Sequence, residues 1–303
     1  MSTETPAWEL AETFLAVMHT GSLSGAARAL AVAQPTVRRR VEALEASLGT
    51  VLFTRATNGL VPTDAAHTTL PHAEAMASSA RALVRAASGP NDAVRGTVRV
   101  TASEVLGLEV IPGTLGPLRD AWPELQLELS LSNRLEDLLR RDADVAVRMT
   151  APTQSSLVAR RVGIIPVGLY AHVDYLARHP APSTPARLLK GHALVGADRD
   201  RGQIEALAHL GVTATPRDFA VRTDSDGAQL QAVRAGLGIG VCQVPLAKRY
   251  PELRRVLPRI AIPLPTWVVM HEDQRSVRRV RVVFEHLVAA LRSYVESAAA
   301  EGP

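Results

Sequence analysis

One helical segment, from Ala33 to Glu45, constrains the fold of this chain more than any other. Its apolar residues recur at the i, i+4, i+7, i+11 spacing of a buried stripe, at Val37, Val41, Leu44 and Leu48. At about 100° per residue, small and guanidinium-bearing groups fall on the opposite face, at Pro35, Thr36 and Arg39, with Arg38 to one side. The helix dipole attracts phosphate near this N-terminal turn. The pattern favours a helix that enters the major groove of DNA, with a solvated basic face as the alternative.

The residues before this segment predict a helix-turn-helix. A short helix spans 22–30, with Ser22 or Ser24 as its N-cap. A tight turn at 31–34 then leads into the second helix, which is the helix that reads DNA in such a motif.

The residues after it predict the wing of a winged helix-turn-helix. Two strand-like runs, 51–55 and 59–62, flank the dipeptide Asn58-Gly59, which is a strong hairpin signal. Arg55 lies at the edge of this hairpin, within reach of a backbone phosphate.

The chain from Phe14 to Thr63 resembles the DNA-binding domain of the LysR-type transcriptional regulators. The matching segments stand in fixed order at 14–17, 21–23, 26–30, 34–37, 44–49, 52–55 and 61–63. Serine is usual in the family where this chain has Ala33 and Arg38, so the bases that are read stay open. Pattern and resemblance together predict DNA contacts at Ser24, Gln34, Pro35, Thr36, Arg38, Arg39, Arg40 and Arg55. Among these, Arg40 is expected to lie beside the buried stripe rather than to make the main contacts with DNA.

The net charge of the chain is only +4, so it does not by itself indicate a nucleic-acid partner. Before residue 65, acidic residues slightly outnumber arginines. Hydrophobic residues make up 47% and charged residues 21% of the 303 residues, which is typical of a globular chain of about two domains. The local placement of arginine is therefore what indicates DNA.

Residues 63–90 are predicted to form a linker and dimerisation helix. Thr63-Asp64 caps its start, and Gly89-Pro90 ends it. A seam of mostly small residues spaced four and three apart runs along it, at Ala66, Leu70, Ala73, Ala77, Ala80, Val84 and Ala87. Pro71 predicts a kink or an early end. The length of the helix, its seam and the family resemblance favour pairing with a second copy over packing on its own domain, and paired reading helices also match an inverted-repeat operator.

From Gly96 onward, strand-like and helical segments alternate, which predicts an α/β fold with a doubly wound sheet. The predicted strands are 97–101, 125–131, 145–147, 164–170, 192–195, 219–222, 239–242 and 267–270. The predicted helices are 107–121, 134–142, 174–178, 203–210, 226–235 and 275–298.

This half resembles the effector-binding domain of the same family, which is similar to periplasmic solute-binding proteins. The closest matches are 138–148, 175–179 and 235–240. The resemblance implies two α/β lobes joined by hinge strands near 162–166 and 267–269. The predicted organisation is a winged helix-turn-helix at 1–62, a linker helix at 63–90 and an effector-binding domain at 91–303. Within that domain, lobe I comprises 91–162 and 267–303, and lobe II comprises 163–266.

A ligand of such a sheet lies at the carboxyl ends of the strands, in the crevice between the lobes. The candidate effector-binding residues there are Ala102, Ser103, Asn133, Arg148, Thr223, Asp224 and Asp226. Ser103, at a helix N-terminus, and Arg148 can each hold a carboxylate, whereas a plain N-cap and an interdomain salt bridge are equally good interpretations. Glu104 and the two aspartates oppose a simple acidic effector, since they repel it unless they turn away.

Cys242 is the only cysteine, so no intramolecular disulfide forms and a reducing compartment is allowed. Its strand-like surroundings predict a buried, inert thiol rather than a redox sensor. The acidic N-terminus lacks the basic segment and long apolar core of a signal peptide, so none is expected, and no apolar run reaches the ~20 residues of a membrane helix. We therefore expect a cytoplasmic protein.

Enzyme and cofactor motifs are weak. The glycines from Gly236 to Gly240 precede a strand and have the wrong spacing for a dinucleotide loop. Gly21 to Gly25 does not place a serine centrally, as a nucleophile elbow requires. The nine histidines are scattered, so no metal site or cofactor is predicted.

The sequence thus predicts a homodimeric or homotetrameric LysR-type regulator. Its expected partners are double-stranded DNA with an inverted-repeat operator, a small-molecule effector between two α/β lobes, and a second copy of itself. One alternative is a DNA-binding repressor or architectural protein whose α/β half only oligomerises. A solute-binding protein or enzyme is a weaker one, because of the winged-helix half.

Overall fold

The computed structural model describes residues 6–56, 59–87, 93–132, 143–200, 202–209 and 211–299. These fall into two compact units, which meet in sequence after α4. The elements of the first unit are α1 (Trp8–Thr20), α2 (Leu23–Ala29), α3 (Gln34–Leu48), β1 (Phe53–Ala56), β2 (Gly59–Pro62) and α4 (Asp64–Ala87).

The first unit is a winged helix-turn-helix around one apolar core. Phe14 of α1 is fully buried, and its ring lies 5.7 Å from the ring of Phe53 at the start of the wing. Val37, Val41 and Leu44 of α3 are buried beside it, as the helical spacing predicts. Leu48 was also expected in this stripe but is 39% exposed, because it is the last residue of α3 and extends past the core. Strands β1 and β2 pair antiparallel, which confirms the predicted hairpin.

The turn between α2 and α3 is closed by backbone and side-chain bonds. The Ser22 hydroxyl accepts a hydrogen bond from the Gly25 amide at 3.0 Å, so Ser22 rather than Ser24 caps α2. Ala31 adopts a positive φ of 55°, and the Val32 amide donates to the Ala27 carbonyl at 3.0 Å. The chain therefore reverses within a few residues and presents α3 across α2.

Helix α4 begins as predicted, with the Thr63 hydroxyl accepting from the Ala66 amide at 3.2 Å. It continues past Pro71 without ending there, so of the two predicted alternatives, a kink or an early end, the early end is wrong. Burial of Ala66, Ala73 and Ala77 against the first-unit core holds the turns on both sides of the proline. This packing offsets the roughly 3 kcal/mol that an internal proline costs.

The seam of α4 is divided between two environments. Its first half packs on its own domain, which is the alternative that the sequence disfavoured. In its second half Val84 is 70% exposed, and the neighbouring Leu83 is 73% exposed. Only this second half is therefore left to contact another chain.

The second unit is α/β. Its strands are β3 (Gly96–Ala102), β4 (Leu125–Leu131), β5 (Val145–Arg148), β6 (Leu157–His172), β7 (Leu194–Gly196), β8 (Phe219–Arg222), β9 (Gly240–Gln243), β10 (Leu253–Val256) and β11 (Ile262–His271). Its α-helices are α5 (Ile111–Thr114), α6 (Gly116–Ala121), α7 (Val173–Arg178), α8 (Pro185–Gly191), α9 (Gly202–His209), α10 (Asp226–Arg234), α11 (Val244–Ala247) and α12 (Arg278–Ala299). The predicted helix 134–142 lies outside the described residues.

The main sheet is mixed rather than purely parallel. Its order is β10-β6-β11-β5-β3-β4, with β9 also paired to β6, and β7 pairs with β8 in a separate small sheet. Strand β3 runs parallel to β4 and β5, whereas β11 runs antiparallel to β5 and β6. The two long strands β6 and β11 extend well beyond the predicted 164–170 and 267–270. Their register shifts between Thr266 and Trp267, opposite Gly163 of β6, where φ is 146° and a side chain would meet Val295 of α12.

The helix predicted at 107–121 is broken. A π-helical turn at Leu106–Val110 leads into α5 and then α6, with Pro112 and Pro117 in the first turns of those helices. Against the sheet, α12 buries Val283, Phe284, Leu287 and Leu291. A second cluster gathers around β7, β8, α8 and α9, including Leu188, Leu194 and Phe219.

Candidate DNA-reading helix and ligand cavity

The outer face of α3 carries the polar groups that the sequence places there. Gln34, Pro35, Arg38 and Arg39 are exposed, and Thr36 is half-buried. Pro35 lies in the first turn, where its missing amide costs no helical hydrogen bond. Because the opposite face is buried in the core, this exposed face is fixed in direction. Ser24 on α2 is exposed as well.

Arg40 differs from its neighbours because it has a partner within the unit. Its guanidinium donates to the Glu9 carboxylate of α1 at 3.1 Å, and it is half-buried. This agrees with the predicted position beside the buried stripe. Arg55 lies in β1, but its side chain is outside the described part of the chain.

Glu45 joins α3 to the wing, which the sequence analysis did not foresee. Its carboxylate accepts from the amides of Leu52 at 2.7 Å and Phe53 at 3.1 Å. Two amides that enter the hairpin are thus satisfied by one side chain of the reading helix. In the sequence, this contact is indicated only by a carboxylate near the end of α3. The amides that it binds lie several residues later, so no local pattern reveals the pairing.

The second unit contains a cavity of about 390 Å³ at the carboxyl ends of β3 and β5. Residues from both predicted lobes line it, including Met149 and Val105 from one and Ala206 and Leu230 from the other. The long strands contribute Val167, Ile262 and Leu264. Most of the wall area is apolar, but ten of the lining residues are polar or charged. A small-molecule site typically combines an apolar wall with such polar groups.

The structure brings four of the candidate effector-binding residues to this wall: Ser103, Arg148, Asp224 and Asp226. Ala102 does not lie there, because it points to the other side of β3 and is fully buried in the sheet core. Thr223 does not line the cavity either, since its hydroxyl accepts from the Ser225 amide. Asn133 lies outside the described residues. Gln203 and Gln229 line the cavity and were not predicted, since glutamines on helices carry no distinctive sequence signal.

Two polar side chains from lobe I face the cavity in different ways. Arg148 is buried, and its guanidinium donates to the Val147 carbonyl at 3.0 Å and the Thr101 hydroxyl at 3.1 Å. The Ser103 hydroxyl oxygen is buried and has no hydrogen-bond partner among the described residues. A buried hydroxyl without a partner is costly, so Ser103 is a natural contact for a ligand.

Asp224 holds the loop that follows β7. Its carboxylate accepts from the amides of Asp198, Arg199 and Asp200 at 2.8–3.1 Å and from the Arg199 guanidinium at 3.0 Å. The bond from the Arg199 amide, followed by that from Asp200, lowers the pKa of Asp224 to about 2. The carboxylate therefore turns to the loop, which is one way in which the predicted repulsion of an acidic ligand is reduced.

This lowered pKa predicts a local effect of acid. The charged form is favoured in the folded protein, so its contribution is complete above the unfolded pKa of about 4 and is lost as the pH falls towards 2. We expect hydrogen exchange of the amides of residues 198–200 to accelerate over this range, relative to amides of β3. Asp224→Asn should show fast exchange already at pH 6, and an unchanged profile in that variant would contradict the assignment.

Glu104 crosses to the opposite lobe. Its carboxylate accepts from the Ser225 hydroxyl at 2.8 Å and the Gly227 amide at 3.1 Å, at the N-terminus of α10. A Cβ at Gly227 would lie 2.7 Å from the Leu108 side chain, so glycine here allows Leu108 to pack against the start of α10. Cys242 also lines the cavity, and burial raises the pKa of its thiol to about 12. Its predicted burial is therefore confirmed.

Across the described residues, no cluster of three or more His, Cys, Asp or Glu side chains is arranged to bind a metal ion. None of the helices in the described part of the chain is both long and apolar enough to traverse a bilayer.

Comparison with known proteins places both units in one family. Residues 91–292 match the LysR substrate binding domain, and residues 8–67 match the bacterial regulatory helix-turn-helix protein, lysR family. The HTH-type transcriptional activator AaeR of Escherichia coli K12 is 26% identical over 283 residues, which cover 90% of each chain. An HTH-type transcriptional regulator of Xanthomonas campestris is 33% identical over 175 residues, which cover 58% of this chain and 51% of that protein.

Solved structures show the same fold. The full-length virulence activator AphB of Vibrio cholerae has a TM-score of 0.61 at 20% identity, covering 93% of this chain and 99% of that one. Full-length CbnR in complex with its target DNA has a TM-score of 0.64 at 20% identity, covering 94% and 99%. A winged helix-turn-helix followed by an α/β substrate-binding domain, matched over both units, makes this chain a member of the LysR family of transcriptional regulators.

Proposed function

We propose that two copies of this chain read an inverted-repeat DNA operator with their α3 helices, under the control of a small molecule in the cavity of the second unit. The observation that carries the proposal is the exposed face of α3, where Arg38 and Arg39 stand beside Pro35 and Thr36. Guanidinium groups bind phosphates and the edge of guanine, and a helix of this kind fits the major groove. Arg40 contributes less directly, because Glu9 already holds it.

The wall residues Ser103, Arg148, Asp224 and Asp226 are the proposed effector contacts. Residues of both predicted lobes meet in this wall, so a ligand there contacts both. A ligand that binds one arrangement of the lobes better than another shifts the population towards it. We also propose the domain organisation that the sequence predicts, with domain and lobe boundaries at residues 62, 90, 162 and 266. No feature of the site favours an enzyme or a purely architectural role, and a chromosomal operator implies a cytoplasmic location.

Selection of bound sequences from a pool of random duplex DNA tests the proposal. We expect a dyad-symmetric consensus with half-sites spaced by about one helical turn or a multiple of it. Recovery of no preferred sequence, in the presence and absence of a metabolite extract, would contradict the proposed operator reading.

Self-association is proposed to use the exposed half of α4. Val84→Asp is expected to weaken the dimer by at least about tenfold, since a buried unpaired carboxylate is costly at an interface. Ser79→Asp adds the same charge to the same helix on another side and is the matched control. Sedimentation velocity over a range of concentrations measures both. An unchanged dimer in Val84→Asp would rule out this seam.

A further inference from the structure

The charged side chains of the cavity wall already have partners within the protein. Asp224 is bound by three loop amides, and Asp200 accepts from the Gly202 amide at 2.9 Å. Arg148 donates to the interior of its own lobe. The described wall thus contains acidic and basic groups, each with a partner within the protein. A charged ligand would have to displace one of these hydrogen bonds before it could pair with a charged group of the wall, which is costly.

One more place suits an anion; it lies beside this wall rather than in it, and it is filled. The N-terminus of α10 offers the Gly227 amide and the Ser225 hydroxyl, and both donate to Glu104. A helix N-terminus of this kind binds carboxylates well. Glu104 stands between the wall residues Ser103 and Val105 in sequence, and its carboxylate meets α10 beside the wall residue Asp226. The protein's own carboxylate therefore occupies the position that a ligand carboxylate would use.

The Ser103 hydroxyl is the complementary observation. It is buried, it lines the cavity, and it has no hydrogen-bond partner among the described residues. A hydroxyl can donate or accept, so it pairs with a neutral amide, hydroxyl or carbonyl.

We propose that Glu104 is a specificity-determining residue of this cavity, which binds an uncharged, mainly apolar molecule through a hydrogen bond to Ser103. By filling the anion position at α10, Glu104 selects against ligands that carry a carboxylate. This inference rests on the proposed function, in which the cavity is the effector site. It goes further by naming the chemical class of the effector and the residue that sets it.

Benzamide, benzoate and benzylamine test the charge preference, because they share one ring and differ in charge. Isothermal titration of the full-length protein is expected to show tighter binding of benzamide than of either charged probe, by about tenfold. Ala206→Trp fills the cavity from its wall and should abolish this binding, which places the probe in the cavity.

Two substitutions at one position separate charge from occupancy. Glu104→Ala removes the charge and vacates the α10 N-terminus, so the affinity for benzoate should rise by about tenfold. Glu104→Gln removes the same charge, but its amide oxygen still accepts from Gly227, so the affinity should rise much less. Circular dichroism confirms that both variants are folded, and benzamide affinity in each reports an intact cavity.

The outcomes distinguish the two proposals. If wild-type protein binds benzoate as tightly as benzamide, or if both Glu104 variants gain benzoate affinity equally, the role of Glu104 is overturned and the effector site stands. If none of the three probes binds wild-type protein or either variant at millimolar concentration, the cavity is not a site for molecules of this kind and both proposals fall.

Discussion

Replacing Phe14 by alanine is expected to lower the free energy of unfolding of the first unit by about 3–5 kcal/mol. The ring is fully buried where α1, α3 and the wing meet, and it packs against Phe53. Its removal leaves a cavity whose walls cannot close, since α3 is also held to the wing by Glu45. A loss of this size is a large share of the 5–15 kcal/mol that stabilises a typical domain. Operator binding should therefore fall with the folded fraction.

Chemical denaturation followed by both near- and far-ultraviolet circular dichroism measures this effect. The second unit has its own cores, so its transition should stay at the wild-type denaturant concentration. Phe14→Leu keeps much of the apolar volume and should lose much less stability. If Phe14→Ala unfolds at the wild-type midpoint, the ring does not hold the first unit together as described.

Arg39→Ala is expected to weaken operator binding by about 1–3 kcal/mol, which is roughly 5- to 150-fold. Arg39 is exposed on the outer face of α3, so its removal should leave the folded state almost unchanged. If the guanidinium contacts a phosphate, the slope of log affinity against log salt should also fall by about one. If it contacts a base edge, the affinity should fall mainly for the preferred operator and the salt slope should change little.

Fluorescence anisotropy with the selected operator and with a scrambled duplex separates these two cases. Arg217→Ala is the matched control, because Arg217 is an exposed arginine of the second unit and its loss changes the net charge equally. Thr36→Ala should weaken binding to the operator more than to the scrambled duplex. Wild-type affinity in both Arg39→Ala and Thr36→Ala would show that this face of α3 does not read DNA.

Local patterns in the sequence were sufficient for most elements. Alternation from Leu125 to Leu131 predicted β4 with its observed bounds, although only Leu125 and Leu127 pack on the core and the last two leucines are exposed. The stripe of α3 and the cap at Ser22 are likewise visible in neighbouring residues. The mixed strand directions of the main sheet could not be predicted from neighbouring residues, because the pairing of β6 with β11 joins segments about 100 residues apart.

The candidate cavity was predicted in position but only partly in composition. Ser103 follows β3 and Arg148 ends β5, at the carboxyl ends that mark the ligand side of an α/β sheet, and both line the cavity. Ala102 is one residue earlier and faces the core, because side chains alternate along a strand. The partners of Glu104 and Asp224 could not be predicted, because each bond joins loops that are distant in sequence.

The shared burial of α3 and the first half of α4 has a consequence for the proposed dimer. Ala73 and Ala77 lie in the same core as Val37 and Val41, so we expect the two helices to move together. When two copies join through the exposed half of α4, a rotation of one α4 about its axis turns its reading helix through the same angle. Operators with half-sites one base pair nearer or farther apart should then bind more weakly, because no flexible segment between α3 and α4 is left to accommodate the change in spacing.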